Sequence, residues 1–361
     1  MKKKVLLLSL MLLLLCVFCA CGEESYGLKY ELRDNASAYQ VVGYRPAPDE
    51  TGVEIPATYR EKPVTAIDDD AFAGCSELSW ITIPESVTSI GKFAFQDCTS
   101  LTSITLPTGV KTVEGGAFEG CTALTEITLP MGITQIGGSA FYGCTALTAI
   151  ELPDSVKEIG TLAFNGCAAL VDIHLPAELE KVENGLFNDC KVLASIRVPD
   201  KVKAIGQNAF SKCHSLQEVE LPAGLKSIGA DAFYECYRIQ SLTMPDSLTH
   251  IGTEAFYNCL SLKEVALPLN LQEIGDCAFQ NCEDLKAITI PAEVNGIGAN
   301  AFNGCKSLGE AIFVNPEGWT CLTSAESAKG TELLKQELIN SDKAALYLID
   351  TYDNYYWRGS K

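Results

Sequence analysis

Residues 117–144 read AFEGCTALTEITLPMGITQIGGSAFYGC, a stretch that begins and ends with the motif A-F-x-x-C, and the two copies lie 23 residues apart. Steps of 23 residues from Cys75 reach a cysteine at every step to Cys305, which makes eleven units. A phenylalanine precedes each of these cysteines by three residues, from Phe72 to Phe302. Tandem repetition at this length indicates a solenoid, in which each unit contacts only its neighbours.

The first half of the unit predicts a short strand. The unit reads L-x-x-I-x-L-P-x-x-V-x-x-I-G-x-x-A-F-x-x-C, followed by two more residues. In LTSITLP, residues 101–107, apolar and polar residues alternate, so Ile104 and Leu106 are expected to face inward. Pro107 ends the strand, because proline has no N–H to donate to a neighbouring strand.

The second half of the unit predicts a short helical turn. Ile136, Ala140, Phe141 and Cys144 are separated by four, one and three residues, which places one side of a turn inward. The residue before the cysteine is Gly or Asn in seven of the eleven units. These residues tolerate positive φ, so the turn is expected to end there. We therefore expect columns of identical inward residues, with the x positions outside.

The unit resembles a known family of repeats. Its 23-residue length, the LP after the strand and the A-F-x-x-C motif are similar to the BspA-like leucine-rich repeats of bacterial surface proteins. The resemblance covers residues 64 to about 308. It implies a leucine-rich repeat solenoid of short parallel strands and short helical turns, and adhesion to host proteins or other cells. Such repeats are a frame, and the variable positions choose the partner.

Four segments are predicted along the chain. They are a signal peptide at residues 1–20, an N-terminal tether and β cap at 21–65, a solenoid of about eleven units at 66–314, and a C-terminal cap or tail at 315–361. LKYEL and YQVVGY in the second segment predict a hairpin that covers the first open edge. In the last segment, residues 331–340 predict a short helix.

The N-terminus, MKKKVLLLSLMLLLLCVFCACGEES, has the organisation of an export signal, with a basic start and an apolar run too short for a comfortable membrane span. Ala20 and Cys21 resemble the lipobox of bacterial lipoproteins, in which a cysteine after a small residue receives lipid. Phe18 departs from that pattern, which usually has Leu. We expect lipid attachment at Cys21 and a lipid-anchored protein at the cell surface or outer face of the membrane; a cleaved signal without lipidation is the alternative.

The formal charge of −19 argues against several partner classes. Removal of residues 1–20, which contain three lysines and no acid, makes the chain still more negative. Such a surface repels nucleic acid and anionic lipid headgroups. We expect no nucleic-acid partner, membrane contact only through the anchor, and a monomer.

No motif predicts a cofactor or a catalytic site. The repeated cysteines form one inward column, where the spacing of parallel strands exceeds the Cβ separation that a disulfide prefers, so free buried thiols are expected. They lack the close convergent spacing of zinc ligands. Cys213 and His214 are adjacent, but neighbouring side chains in a turn generally point in different directions. We therefore expect a non-enzymatic protein without a metal.

Two sets of outward residues are candidates for partner contact. The first set flanks the inward residue of the strand. The alternative role of these charged residues is solubility. Its members are Glu126, Glu151, Asp172, His174, Arg197, Glu218, Glu220 and Glu264.

The second set is apolar. Tyr234 and Tyr257 follow Phe in successive units, and Tyr237 and Leu260 follow Cys, so stacking brings all four together. Exposed aromatic groups mark possible interface centres. A patch covered by the C-terminal segment, or simple sequence drift, is the alternative.

The sequence thus predicts a cell-surface binding or adhesion protein that recognises a protein or glycan through its solenoid surface. The alternative is a structural component of the envelope without an external ligand.

Overall fold

The structure is a computed structural model, and it describes residues 26–33, 36–324, 327 and 329–359. The predicted signal peptide and Cys21 lie outside the described residues. Each 23-residue unit forms one rung of a solenoid, and the rungs stack in parallel. The predicted fold class is therefore confirmed.

The N-terminal residues form a small sheet that covers the first rungs. The predicted hairpin is present as β1 (Gly27–Arg33) paired antiparallel with β2 (Ala38–Arg45). Strand β2 pairs parallel with β5 (Lys62–Ile67), and the short β4 (Thr58–Tyr59) lies antiparallel to β5. Strand β5 continues to β7 (Ser89–Ile90), so the hairpin is joined directly to the repeats.

The predicted strand of each unit forms a first ladder. Its strands are β3 (Gly52–Glu54), β6 (Trp80–Thr82), β8 (Ser103–Thr105), β10 (Glu126–Thr128), β14 (Ser195–Arg197), β16 (Glu218–Glu220), β18 (Ser241–Thr243), β20 (Glu264–Ala266), β22 (Ala287–Ile290) and β24 (Glu310–Phe313). They pair two by two rather than continuously: β3 with β6, β8 with β10, and so on to β22 with β24. Within the described chain, the rungs of Ile150 and Ile173 contribute no strand to this ladder.

A second ladder, which the sequence analysis missed, follows the proline turn. It consists of two-residue strands at the V-x-x-I positions, after β7: β9 (Thr112–Val113), β11 (Gln135–Ile136), β12 (Glu158–Ile159), β13 (Lys181–Val182), β15 (Ala204–Ile205), β17 (Ser227–Ile228), β19 (His250–Ile251), β21 (Glu273–Ile274) and β23 (Gly296–Ile297). Strands β13 to β23 pair without a break. The isoleucines of this ladder point into the core.

The A-F-x-x-C segment is a pair of tight turns rather than a helical turn. The residue before each repeated cysteine has positive φ in all eleven units, as expected where it is Gly or Asn, and also at Asp97 and Lys212. A second positive φ lies four residues before that one, for example at Asp231 and Glu254. A helix cannot continue through left-handed residues, so the chain forms hydrogen-bonded turns that place the Ala, Phe and Cys side chains inward.

The core is built from columns that run the length of the solenoid. The eleven phenylalanines from Phe72 to Phe302 are fully buried and stack ring on ring. Their centroids are 5.2 to 5.7 Å apart and neighbouring planes are within 14° of parallel. Each rung therefore covers the apolar face of the next.

The repeated cysteines are free and have a specific role in this core. From Cys98 to Cys305, each thiol donates a hydrogen bond to the phenylalanine carbonyl of the preceding rung, with Sγ to O distances of 3.1 to 3.3 Å. The same carbonyl accepts the backbone N–H of the cysteine in its own rung; for Phe95 this donor is Cys98, at 3.2 Å. Cysteine thus supplies a donor as well as apolar volume.

The C-terminal residues pack on the last rungs. They form β25 (Thr320–Leu322), β26 (Thr331–Glu332), the helices α1 (Lys335–Ile339) and α2 (Ser341–Leu346), a π-helical turn (Tyr347–Thr351) and β27 (Tyr356–Arg358). The helix predicted at residues 331–340 is shorter than expected and is followed directly by a second one. Strand β27 pairs antiparallel with β23 and with β25. Its Trp357 is buried and lies 5.9 Å from Phe313, ring centroid to ring centroid.

We predict that Phe256→Ala lowers the free energy of unfolding by about 3 to 5 kcal/mol, because it removes a fully buried ring from the column and leaves a cavity. The exposed Lys263→Ala is the matched control and should change stability by less than about 0.5 kcal/mol. Urea unfolding followed by circular dichroism measures both. Equal stability of the two variants would contradict the inward assignment of the phenylalanine column.

The buried thiols predict a loss of stability at alkaline pH. Burial raises the pKa of the Cys144 thiol from 9.0 to about 12. The unfolded chain therefore loses these protons first, so stability is complete below pH 9 and falls between pH 9 and about 12. Each such thiol should contribute a slope of about 1.4 kcal/mol per pH unit within that window. Urea titrations from pH 7 to 10.5 measure the free energy of unfolding, which should fall less steeply with pH above pH 9 in Cys144→Ala, by this slope. The same slope in the variant and the native chain would contradict the raised pKa of Cys144.

Candidate binding surfaces

Two outward surfaces contain the residues singled out in the sequence. One is the outer face of the first ladder, where the positions on either side of each inward residue face solvent. The other is the outer face of the tight turns, between the buried phenylalanine and the residues after the cysteine. Both are regular because successive rungs repeat the same backbone conformation.

The strand-face strip consists of the charged candidates on the first ladder. All of its members are exposed: Glu126, Glu151, Asp172, His174, Arg197, Glu218, Glu220 and Glu264. Arg197 lies 3.3 Å from Glu220, Nη1 to Oε2, and both side chains are about two-thirds exposed (68% and 69%). An ion pair this exposed contributes little to stability.

The acids of the strand-face strip follow the two-by-two pairing of the ladder. In four of the five described pairs, the first position of the strand is small on one rung and acidic on the other, as in Ser195 beside Glu218 and Ser241 beside Glu264; the exception is Gly52 beside Trp80. Acids in this column are therefore two rungs apart, roughly 10 Å at the usual strand spacing. Carboxylates on adjacent rungs would repel each other. The spacing favours solubility without internal repulsion as the role of this column.

Two open grooves on the strand faces have no aromatic side chain among their lining residues. A groove of about 480 Å³ lies between the rungs of Glu126 and Glu151, lined mainly by Thr, Ile and Ala. A larger one of about 710 Å³ follows the second ladder and combines both signs, with Lys181 bonded to Glu183 at 2.7 Å. Neither groove gathers groups that select one ligand.

The tyrosine surface consists of His214, Tyr234, Tyr237, Tyr257 and Leu260 on the turn face. Tyr234 and Tyr257 stack with centroids 5.0 Å apart and planes 4° from parallel, as their 23-residue register indicates. The tyrosines are half-buried and Leu260 is 37% exposed. The structure therefore brings the four residues predicted from the sequence onto two adjoining rungs.

His214 is a member of this surface that the sequence analysis did not include. Its ring stacks on Tyr237 with centroids 4.8 Å apart and planes 17° from parallel. His214 lies 23 residues before Tyr237, in the same column as Leu260, so the repeat register contained the signal. Its Nε2 atom is buried, has no hydrogen-bond partner among the described residues, and lies 3.8 Å from Glu235 Oε2.

Burial and nearby carboxylates raise the pKa of two of the tyrosines, Tyr234 and Tyr237. Burial and a hydrogen bond with Glu235 raise the pKa of Tyr237. Burial, together with the charges of Glu235 and Glu254, raises the pKa of Tyr234. Glu235 therefore lies close to both hydroxyl groups and to His214, which makes it the central charge of the surface.

A second pair of acids borders the tyrosine stack. Asp231 and Glu254 occupy the same position on the rungs of Tyr234 and Tyr257. Burial raises the pKa of both carboxyl groups, and the negative charge of Asp231 raises that of Glu254 further. The two carboxylates therefore repel each other and are only partly solvated.

The C-terminal segment makes its polar contacts on later rungs than the tyrosine surface. Tyr356 Oη donates to Asp276 Oδ2 at 2.9 Å, and Asp353 accepts hydrogen bonds from Asn300 and Asn303. Leu260 remains exposed, so the described part of the C-terminal segment does not cover the tyrosine surface.

The turn that carries His214 does not place it as a base beside the adjacent thiol. The Cys213 side chain is fully buried, its thiol donates to the Phe187 carbonyl, and burial raises its pKa. Within residues 26–33, 36–324, 327 and 329–359, no group of three or more His, Cys, Asp or Glu is arranged to hold a metal ion. The helices in these same ranges are all too short or too polar to cross a bilayer.

Comparison with known proteins gives one family and several solved structures. The sequence pattern of the BspA type leucine rich repeat region matches in six copies, over residues 65–194 and 181–309. A leucine-rich repeat protein from Bacteroides ovatus is 31% identical, with 81% of this chain and 88% of that chain covered and a TM-score of 0.62.

Two further solved structures are similar in sequence but superpose less well. A leucine-rich repeat protein from T. pallidum is 31% identical over 59% of this chain and 87% of its own, with a TM-score of 0.45. A leucine-rich cell surface protein from Faecalibacterium prausnitzii is 26% identical over 81% and 94%, with a TM-score of 0.42. No protein with a curated description matches.

Proposed function

Because the chain belongs to the BspA-type leucine-rich repeat family, we propose that it is a non-enzymatic binding protein of the cell surface that recognises a protein or glycan partner. The repeats form a rigid frame whose inward columns are nearly invariant, so partner recognition depends on the outward residues that depart from the repeat. The tyrosine surface is the clearest such departure.

The observation that carries this proposal is the clustering of aromatic residues on two adjoining rungs. Elsewhere the position after Phe is polar in most units, and Tyr142 occupies it alone, four rungs before Tyr234. Tyr234, Tyr237 and Tyr257 lie together beside the exposed Leu260. Aromatic residues that are held rigidly and partly exposed are typical of the energetic centres of interfaces.

A binding role without catalysis is supported by the contacts of the reactive side chains. The thiols of the cysteine column are bonded to carbonyl groups in the core, where burial raises the pKa of Cys213 and Cys236. His214 faces Tyr237 and Glu235, not a nucleophile. The thiols therefore stabilise the core, and His214 is part of the tyrosine surface.

Export is the second part of the proposal. Residues 1–20 have the basic start and apolar run of a signal peptide, and Cys21 follows a small residue as in lipoproteins. A lipid on Cys21 would hold the solenoid at the outer face of a membrane. The tether before the first described strand then separates the repeats from the bilayer.

We predict that Tyr234→Ser/Tyr257→Ser weakens partner binding by about 2 kcal/mol for each lost anchor, as truncation of central aromatic residues does. The partner is first captured from envelope and host extracts with the mature chain and identified. Binding of that partner is then measured by calorimetry for the native chain, for the double variant and for Tyr142→Ser, a matched change at an isolated tyrosine.

Thermal unfolding of the same variants separates binding from folding. Loss of the tyrosine stack should cost about 1 kcal/mol of stability, because such pairs contribute that much beyond their burial. Unchanged binding by the double variant would move the contact to the strand-face strip. Capture of envelope proteins alone would support a structural envelope component instead.

We predict that the mature protein begins at Cys21 and carries lipid there. Mass spectrometry of the N-terminal peptide from membrane-extracted protein measures this directly, and Cys21→Ser should release the protein from the membrane fraction. An unmodified N-terminus elsewhere would show an ordinary cleaved signal peptide.

A further inference from the structure

The charges around the tyrosine surface restrict the chemistry of its partner. Three carboxylates, Asp231, Glu235 and Glu254, lie on the same two rungs as the tyrosines. The exposed basic residues of these turns are Lys212 and Arg238. No ion pair joins either of them to these three carboxylates within the described residues, and the whole chain has a formal charge of −19. The surface therefore presents net negative charge to an approaching molecule.

Two of these carboxylates repel each other, and a hydrogen bond with Gln207 compensates only Asp231. Asp231 and Glu254 lie side by side, and the pKa of Glu254 is raised first by burial and then by Asp231. A cationic side chain placed between them would relieve the repulsion and donate charge-assisted hydrogen bonds to both carboxylates, which are stronger than bonds between neutral groups. The free surface is thus complementary to positive charge.

The orientation of the rings restricts the partner further. Tyr234 and Tyr257 cover one face of each other, and His214 covers one face of Tyr237. One face of each ring is therefore covered by its neighbour, which leaves ring edges, hydroxyl groups and fewer open aromatic faces for a sugar ring, which packs best on such a face. Ring edges beside Leu260 suit the side chains of a polypeptide, including the aliphatic stems of Lys and Arg.

Resting on the proposed binding function, we infer that the partner of the tyrosine surface is a basic polypeptide segment. Its Lys or Arg side chains lie against Asp231, Glu235 and Glu254, and an apolar side chain contacts Tyr257 and Leu260. Charge complementarity of this kind steers association and selects against acidic partners. Binding therefore weakens as salt concentration rises, because the contacts are near the surface.

The test uses a fluorescein-labelled, blocked peptide of sequence Arg-Gly-Arg-Leu-Gly-Arg, and the same peptide with citrulline in place of each arginine. Citrulline keeps the shape of arginine and removes the charge. Fluorescence anisotropy at low salt measures affinity for the native chain and two double variants. Asp231→Asn/Glu254→Gln removes two acids of the surface, and Asp154→Asn/Glu180→Gln removes two exposed acids elsewhere.

The arginine peptide should bind the native chain, and the citrulline peptide should bind at least about tenfold more weakly. Asp231→Asn/Glu254→Gln should weaken binding of the arginine peptide about tenfold, and Asp154→Asn/Glu180→Gln less than about twofold. Leu260→Ser should also weaken it, since the contact includes an apolar side chain. Circular dichroism establishes that each variant is folded.

Equal affinity for the two peptides, or equal losses in the two double variants, would overturn the inference, because only general attraction to a negative chain would remain. Absence of binding to the arginine peptide would also overturn it. These outcomes leave the proposed function standing if the captured partner still requires Tyr234 and Tyr257. If the captured partner binds equally well without Tyr234 and Tyr257, while the arginine peptide still binds, the proposed function would be contradicted instead.

Discussion

Every side of the solenoid depends on the hydrogen bonds that join one rung to the next through the backbone. In the tight turns, the N–H of each phenylalanine from Phe72 to Phe279 donates to the carbonyl of the residue before the next rung's phenylalanine, as from Phe118 to Ala140 at 2.9 Å. The phenylalanine carbonyl accepts a hydrogen bond from the cysteine thiol of the following rung, as Phe118 does from Cys144. These bonds hold successive rungs in one register, so each side chain lies above its equivalent 23 residues away. The continuous core and the regular outer columns follow from this register.

The register also explains what the sequence predicted well. A fixed period places Phe164 over Phe141 and Tyr257 over Tyr234 without any knowledge of the turn geometry, and the structure has both stacks. The first-ladder strand followed from alternation and proline. The second ladder was missed because two residues are too short to show a period. The prediction of a helical turn was wrong, because left-handed residues interrupt it. They include Glu254 and Cys277, which are residue types that rarely adopt positive φ.

The candidate site was predictable only in part, for a related reason. Column membership follows from spacing, so Tyr237 and Leu260 were found, and His214 was available to the same reasoning. Which side chains of different columns contact each other does not follow from the spacing. That Glu235 reaches both Tyr237 and His214 depends on how sharply the turn bends, which only coordinates supply. The electrostatic character of the surface was therefore outside the reach of the repeat pattern.

The two-by-two pairing of the first ladder sets the increment by which such a chain can change length. Its natural module is 46 residues, two rungs, with a small residue on one strand and an acid on the next, as in Ala287 beside Glu310. Deletion of the rung of Ile150 would bring Glu126 and Asp172 onto adjacent rungs, where their charges repel each other. Deletion or duplication of two rungs preserves both patterns. Solenoids with this pairing should therefore gain or lose rungs in even numbers.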